Sequence, residues 1–186
     1  MKKCSIVLSI LINFLCFPIQ AQTKWGYKLG IGLANNSFPL SPNGGSSLNL
    51  FSYQVGIVNE TNIGKNIAIQ PAIIFCKKGH SAVNATYPTH YLDVPINFTY
   101  KINDSFQLGA GPVMSFLLAN SSGSAYKKLE LGANFMAGCK LGEESFLNLS
   151  YTFSLGRANE TGAPIKNLLW SFSFVKFVDL SDLGRF

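Results

Sequence analysis

Bulky apolar residues alternate with small or polar residues in eight separate stretches of the chain. A period of two is typical of β-strands whose two faces meet different surroundings. The pattern therefore predicts an all-β protein with one bulky apolar face and one small polar face on every strand. The predicted strands cover residues 25–34, 50–58, 66–78, 91–100, 106–118, 129–141, 146–155 and 167–177.

The segments between these strands are alternately longer and shorter. The longer ones are residues 35–47, 79–90, 119–128 and 156–166, and the shorter ones are 59–65, 102–105 and 142–145. Strands of about ten residues with this alternation are typical of barrels in outer membranes. The sequence predicts an eight-stranded antiparallel up-and-down transmembrane β-barrel, with short periplasmic turns and longer extracellular loops.

Residue size indicates which face points inward. The polar face is mostly Gly, Ser, Asn and Gln, which fit inside a narrow barrel, whereas a water-facing strand surface normally carries Lys, Glu and Thr. This favours a lipid-facing apolar surface. An exported soluble barrel of lipocalin type, with the apolar face inside, remains the alternative.

The N-terminus has the pattern of an export signal. Lys2 and Lys3 precede an apolar run over residues 6–17, and the small residue Ala21 suits a cleavage position. We expect a signal peptide over residues 1–21, a mature barrel domain over 22–186 and a location in the outer membrane of a Gram-negative cell envelope.

Composition agrees with a membrane surface. Charged residues make up 13% of the chain, about half the usual quarter for soluble domains. Loss of Lys2 and Lys3 with the signal would lower the net charge from +6 to +4. The basic residues are scattered, so no nucleic-acid partner is expected.

Strand parity places Cys76 on the lumen face and Cys139 on the lipid face, which argues against a disulfide.

Three prolines lie inside predicted strands and conflict with regular pairing. Pro71, Pro95 and Pro112 cannot donate a backbone hydrogen bond, and a closed barrel has no edge strand to accommodate them. Each is expected to mark a β-bulge or a locally broken pair.

The segments around these prolines contain four motifs, which are Gln-Pro at residues 70–71, Lys-Lys-Gly at 77–79, Tyr-Leu-Asp-Val-Pro at 91–95 and Leu-Gly-Ala-Gly-Pro at 108–112. Their combination gives the chain a resemblance to the PorT-like outer-membrane barrel family. It implies an outer-membrane location. Through the family's named member it also implies a link to a protein-secretion and gliding apparatus, although most relatives have no assigned activity.

Four charged residues are predicted to meet inside the barrel near its outer mouth. They are Lys78, Asp93, Lys128 and Glu130. Unpaired charge in a confined interior is costly, so a structural network of paired charges is expected, with a ligand or ion site as the alternative. Lys28 and Lys140 are expected nearer the periplasmic rim, paired with Glu143 or Glu144.

Aromatic residues on the bulky face are expected at the lipid interface. This set comprises Trp25, Tyr27, Trp170, Phe172 and Phe174. The sequence has no spacing typical of a metal, cofactor or phosphate site.

The expected function is a non-enzymatic structural or interaction role, with outer-membrane lipids and envelope or secretion-complex proteins as partners. One alternative is a membrane-embedded lipid-modifying hydrolase that uses His80, Ser81, His90 and Asp93.

Overall fold

The computed structural model describes residues 23–37, 48–82, 85–121, 126–160 and 165–178. The predicted signal peptide lies outside these residues, as do parts of the outer loops. The strands are β1 (Thr23–Ser37), β2 (Leu50–Asn62), β3 (Ile67–Ala82), β4 (Ala85–Lys101), β5 (Phe106–Asn120), β6 (Leu129–Lys140), β7 (Ser145–Ser154) and β8 (Lys166–Val178).

Each strand pairs antiparallel with its neighbours in sequence, and β1 pairs with β8 to close the barrel. The predicted eight-stranded up-and-down barrel is therefore confirmed. No helix in the described part of the chain is long and apolar enough to cross a membrane.

The two faces of the barrel are oriented as predicted. Large apolar side chains such as Ile31, Phe51 and Leu131 point outward and are more than half exposed. Small polar side chains such as Ser52 and Ser173 point inward and are fully buried. A lipocalin-type barrel would have the opposite arrangement, so that alternative is wrong.

The three prolines interrupt one ladder each. Two consecutive residue pairs are missing beside Pro71 between β2 and β3, beside Pro95 between β3 and β4, and beside Pro112 between β4 and β5. The register is the same on both sides of every gap. The prolines thus break pairs locally without a bulge. The register shift between β4 and β5 lies elsewhere, between His90 and Tyr91.

The prediction of a loop over residues 79–90 is wrong. β3 and β4 continue through it as a paired hairpin, from Lys78 opposite Thr89 to Ala82 opposite Ala85. This part extends past the apolar wall, where neither face needs the bulky alternation that marks the membrane strands. Gly79 adopts φ +114°, and a Cβ there would lie 2.1 Å from the Tyr87 carbonyl oxygen, so this position favours glycine.

Candidate functional site in the barrel lumen

A buried ion pair joins β3 and β4 inside the outer half of the barrel. Lys78 Nζ lies 2.8 Å from Asp93 Oδ1, and the two side chains are 3% and 5% exposed. The same ammonium donates to Ser115 Oγ on β5 at 2.9 Å. It also lies 4.8 Å from the centre of the Tyr91 ring, within the range of a cation–π contact. One lysine therefore links three adjacent strands.

The Glu130 carboxylate lies on the other side of Tyr91. It accepts hydrogen bonds from the Tyr91 hydroxyl on β4 and from Ser154 Oγ on β7 at 2.7 Å. Asn167 Nδ2 on β8 lies 2.9 and 3.0 Å from its two oxygens. Together these donors satisfy a carboxylate that is almost completely shielded from solvent, as a buried charge requires.

The charges in this part of the lumen cancel. Lys28 on β1 also faces inward, within electrostatic range of the Asp93 carboxylate. Glu130 in turn acts on Lys78. Two ammonium groups therefore face two carboxylates across the lumen. We call the set Lys28, Lys78, Tyr91, Asp93, Ser115, Glu130, Ser154 and Asn167 the lumen network.

The prediction that Lys128 belongs to this cluster is wrong. β6 begins at Leu129, so Lys128 lies beyond the strand end and its side chain is exposed. Its backbone carbonyl accepts a hydrogen bond from Leu117 N at 2.9 Å. Strand parity places a side chain on a face only while the strand continues, which is why the prediction failed here.

The predicted pairing of Lys28 and Lys140 with turn carboxylates is also wrong. Lys28 is a member of the lumen network, and Lys140 is exposed at the periplasmic end of β6. The cation that reaches the β6–β7 turn is Lys24, whose Nζ lies 2.6 Å from Glu144 Oε1. The odd or even position of a residue in its strand gives the face of its side chain. The tilt of the strands determines which residues lie at the same level along the barrel axis.

The four hydrolase candidates do not form a catalytic arrangement. His80 stacks on Tyr87 at 5.1 Å between ring centres, and Asn36 Nδ2 lies 2.9 Å from its Nδ1. Ser81 follows His80 in β3 and so points to the opposite face, and its backbone pairs with Leu48. The expectation that these two residues lie in a loop is wrong.

His90 and Asp93 are also on opposite faces of β4. The His90 ring stacks on the outward-facing Phe75 ring at 5.7 Å with an interplanar angle of 4°. Asp93 points inward to Lys78. A nucleophilic serine needs its base within hydrogen-bond reach and a third group to orient that base, and these side chains do not provide that geometry.

A second ion pair lies near the periplasmic mouth. Lys101 Nζ is 2.9 Å from Glu60 Oε1, and Gln70 Nε2 donates to Glu60 Oε2 at 2.5 Å. The Lys101 side chain is 33% exposed, in contrast to the enclosed Lys78. This pair is therefore open to water on one side.

The remaining predicted residues lie on the expected faces. Cys76 is buried in the lumen, Cys139 lies on the outer wall, and both are free thiols. No group of metal-ligating side chains occurs in the described ranges.

The predicted interface aromatics all point outward. Trp25, Tyr27, Trp170 and Phe172 are 42% to 53% exposed. Phe174 is half-buried beside Tyr27, with 6.5 Å between their ring centres.

Sequence reasoning missed most of the polar partners in the lumen network. Tyr91, Ser115, Ser154 and Asn167 were not singled out because single small polar residues occur throughout the inward face. Tyr91 did carry a signal. It is a large aromatic residue at an inward position of a strand whose outward positions are the bulky ones.

The geometry and the comparisons define the same class of protein. The chain belongs to the outer membrane protein beta-barrel domain family, whose model matches residues 20–159. The protein is therefore an outer-membrane β-barrel.

Solved structures with low sequence identity share the fold. Neisserial surface protein A matches at a TM-score of 0.57 and 12% identity, over 82% of this chain and 96% of that one. The attachment invasion locus protein Ail of Yersinia pestis, solved with the heparin analogue sucrose octasulfate, matches at 0.52 and 11% identity, over 84% and 99%. No curated protein matches the sequence.

Proposed function

We propose that this protein is a non-enzymatic barrel with a structural or interaction role in the cell envelope. The lumen network is the observation that supports this proposal. Its carboxylates and the Lys78 ammonium bond to groups from five strands, and its formal charges cancel. Such a network stabilises a closed interior and engages both carboxylates and the Lys78 ammonium in bonds within the barrel. Contacts with partners are then expected at the two ends of the barrel.

The extended β3–β4 hairpin is the proposed contact surface. It rises past the apolar wall as paired strands, and Thr86 near its tip is exposed. The resemblance to PorT-like barrels suggests a secretion complex as the partner. Ail, the Yersinia protein with the same fold, carries attachment in its name, which is consistent with interaction at the outer surface.

A photocrosslinking residue at Thr86 tests the interaction role in native envelopes. We expect one or a few discrete protein adducts from this position. The control is the same residue at Leu131 on the lipid-facing wall, which is 58% exposed and should yield lipid adducts. If neither position yields a protein adduct, an interaction through this hairpin is contradicted.

The non-enzymatic role is tested with alanine at His80, Ser81, His90 and Asp93. We expect the outer-membrane lipid profile of cells that carry each variant to equal that of the wild type. Accumulation of a lipid substrate in the His80 and Ser81 variants, with the barrel still folded, would favour the hydrolase instead.

The outward aromatics are proposed to lie at the lipid interface. A Trp25→Phe variant leaves Trp170 as the remaining tryptophan. In bilayers with brominated acyl chains, the fluorescence of Trp170 should be strongly quenched, because its indole is 53% exposed on the outer wall. Unquenched fluorescence would place Trp170 away from the acyl chains.

A further inference from the structure

A polar pocket of about 240 Å³ opens at the periplasmic rim between the β2–β3, β4–β5 and β6–β7 turns. Three lysines line it, Lys65, Lys101 and Lys140, together with Asn103 and Asp104. Lys101 is already paired with Glu60. Lys65 and Lys140 are exposed, and neither lies within 4.0 Å of a carboxylate in the described residues. The pocket therefore favours an anion.

Gln107 lines the same pocket and is 2% exposed. Neither its Nε2 nor its Oε1 has a hydrogen-bond partner among the described residues. Buried polar groups are nearly always bonded, so the Gln107 amide can take a further polar partner in this pocket.

An apolar groove continues from the pocket along the outer wall. Its first section, about 360 Å³, shares Ile102, Phe106 and Gln107 with the polar pocket. The next section, about 580 Å³, shares Leu108 and Ala137 with the first. The small outward residues Ala110 and Ala137 form its floor. Larger side chains flank it, among them Phe98, Phe135, Leu149, Tyr151 and Trp170.

The length of the groove fits one leaflet. Along β6 it runs from Cys139 to Phe135, which is about 13 Å at the rise of a β-strand. One leaflet contributes about 15 Å of hydrocarbon to a typical bilayer. The polar pocket lies at the periplasmic end, where the headgroups of the inner leaflet are located.

We propose that this combined site binds one anionic glycerophospholipid of the periplasmic leaflet. The phosphodiester binds Lys65 and Lys140, with Gln107 as a further donor, and an acyl chain lies along the groove. The lining carries a formal excess of positive charge over Asp104, which matches an anionic headgroup better than a zwitterionic one.

The lipid contacts are tested by native mass spectrometry of the barrel released from mixed phosphatidylglycerol and phosphatidylcholine nanodiscs. The wild type should retain one phosphatidylglycerol in preference to phosphatidylcholine. The double variant Lys65→Gln/Lys140→Gln should weaken this binding by about 30-fold, given the usual contribution of two lysines near a lipid surface. The control Lys127→Gln/Lys128→Gln removes the same charge at the opposite end and should leave retention unchanged.

The groove is tested separately with Ala137→Phe, which fills its floor. This variant should lose the retained lipid, whereas Ile73→Phe on another part of the wall should not. Any of three results would overturn the proposal. The first is an equal loss of phosphatidylglycerol in the two lysine double variants, and the second is no preference of the wild type for phosphatidylglycerol. The third is unchanged lipid retention in Ala137→Phe. Tight binding of soluble glycerol phosphate that Ala137→Phe does not affect would identify a small-anion site and would equally overturn a lipid site.

Discussion

The two ends of the lumen contain ion pairs with the same chemistry in different surroundings. Near the outer mouth, Lys78 and Asp93 are 3% and 5% exposed. Near the periplasmic mouth, Lys101 and Glu60 are 33% and 5% exposed. The outer lysine cannot reach water if its partner is lost, whereas the periplasmic lysine can. Similar distances in the two pairs therefore correspond to different energetic consequences, and solvent access determines which pair the barrel depends on.

The largest effect is expected from Asp93→Asn. The variant keeps the shape of the side chain but leaves the Lys78 ammonium buried without its counter-ion. We expect a loss of about 3 kcal/mol in the free energy of unfolding, measured by urea titration in lipid bilayers. A loss below that of the periplasmic variant described below would contradict the difference between the two ends.

A smaller loss is expected from Tyr91→Phe. The change removes the hydroxyl that donates to Glu130 and retains the ring beside Lys78. Loss of a hydrogen bond to a charged group costs about 1.5 to 3 kcal/mol. Tyr100→Phe on the outer wall is the matched control and should alter stability by less than about 0.5 kcal/mol. Equal effects at both tyrosines would remove Tyr91 from the lumen network.

The smallest effect is expected from Glu60→Gln. The amide keeps a hydrogen-bonding group beside Gln70, and the partly exposed Lys101 can regain water. The loss should be about 1 kcal/mol or less, and it should shrink further at high salt because the pair is accessible to ions. A salt-independent loss as large as that of Asp93→Asn would show that the periplasmic pair is equally enclosed.

The sequence predicts the structure correctly wherever a lipid surface imposes a pattern on the strands. The number of strands and the two faces of each strand follow from the alternation, because the outer wall needs apolar side chains and the narrow interior needs small ones. The β3–β4 hairpin beyond Lys78 lies outside that constraint. Its Thr, Tyr, His and Pro residues show no bulky alternation, so the sequence predicts a loop although the backbone still pairs.

The sequence predicts whether each residue of the candidate site faces the lumen. It does not predict how far along the barrel axis the residue lies. Lys78, Asp93 and Glu130 were correctly placed inside the barrel. The position of Lys28 along β1 predicts a place at the periplasmic rim, because position along a single strand does not include the strand tilt. The register connects it through Gly56 and Ile74 to Asp93. This connection depends on the shear of the closed barrel, which one strand's sequence does not specify.

The most direct test of a structural lumen network is a double-mutant cycle between Lys78→Met and Asp93→Ala, followed by urea unfolding in bilayers. We expect a coupling of about 2 kcal/mol, so that the double variant loses about 2 kcal/mol less than the sum of the two single losses. Lys77→Met, at the adjacent outward position, should combine additively with Asp93→Ala. Additive losses for Lys78→Met and Asp93→Ala would contradict the account, because the two residues would then not stabilise the barrel as a pair.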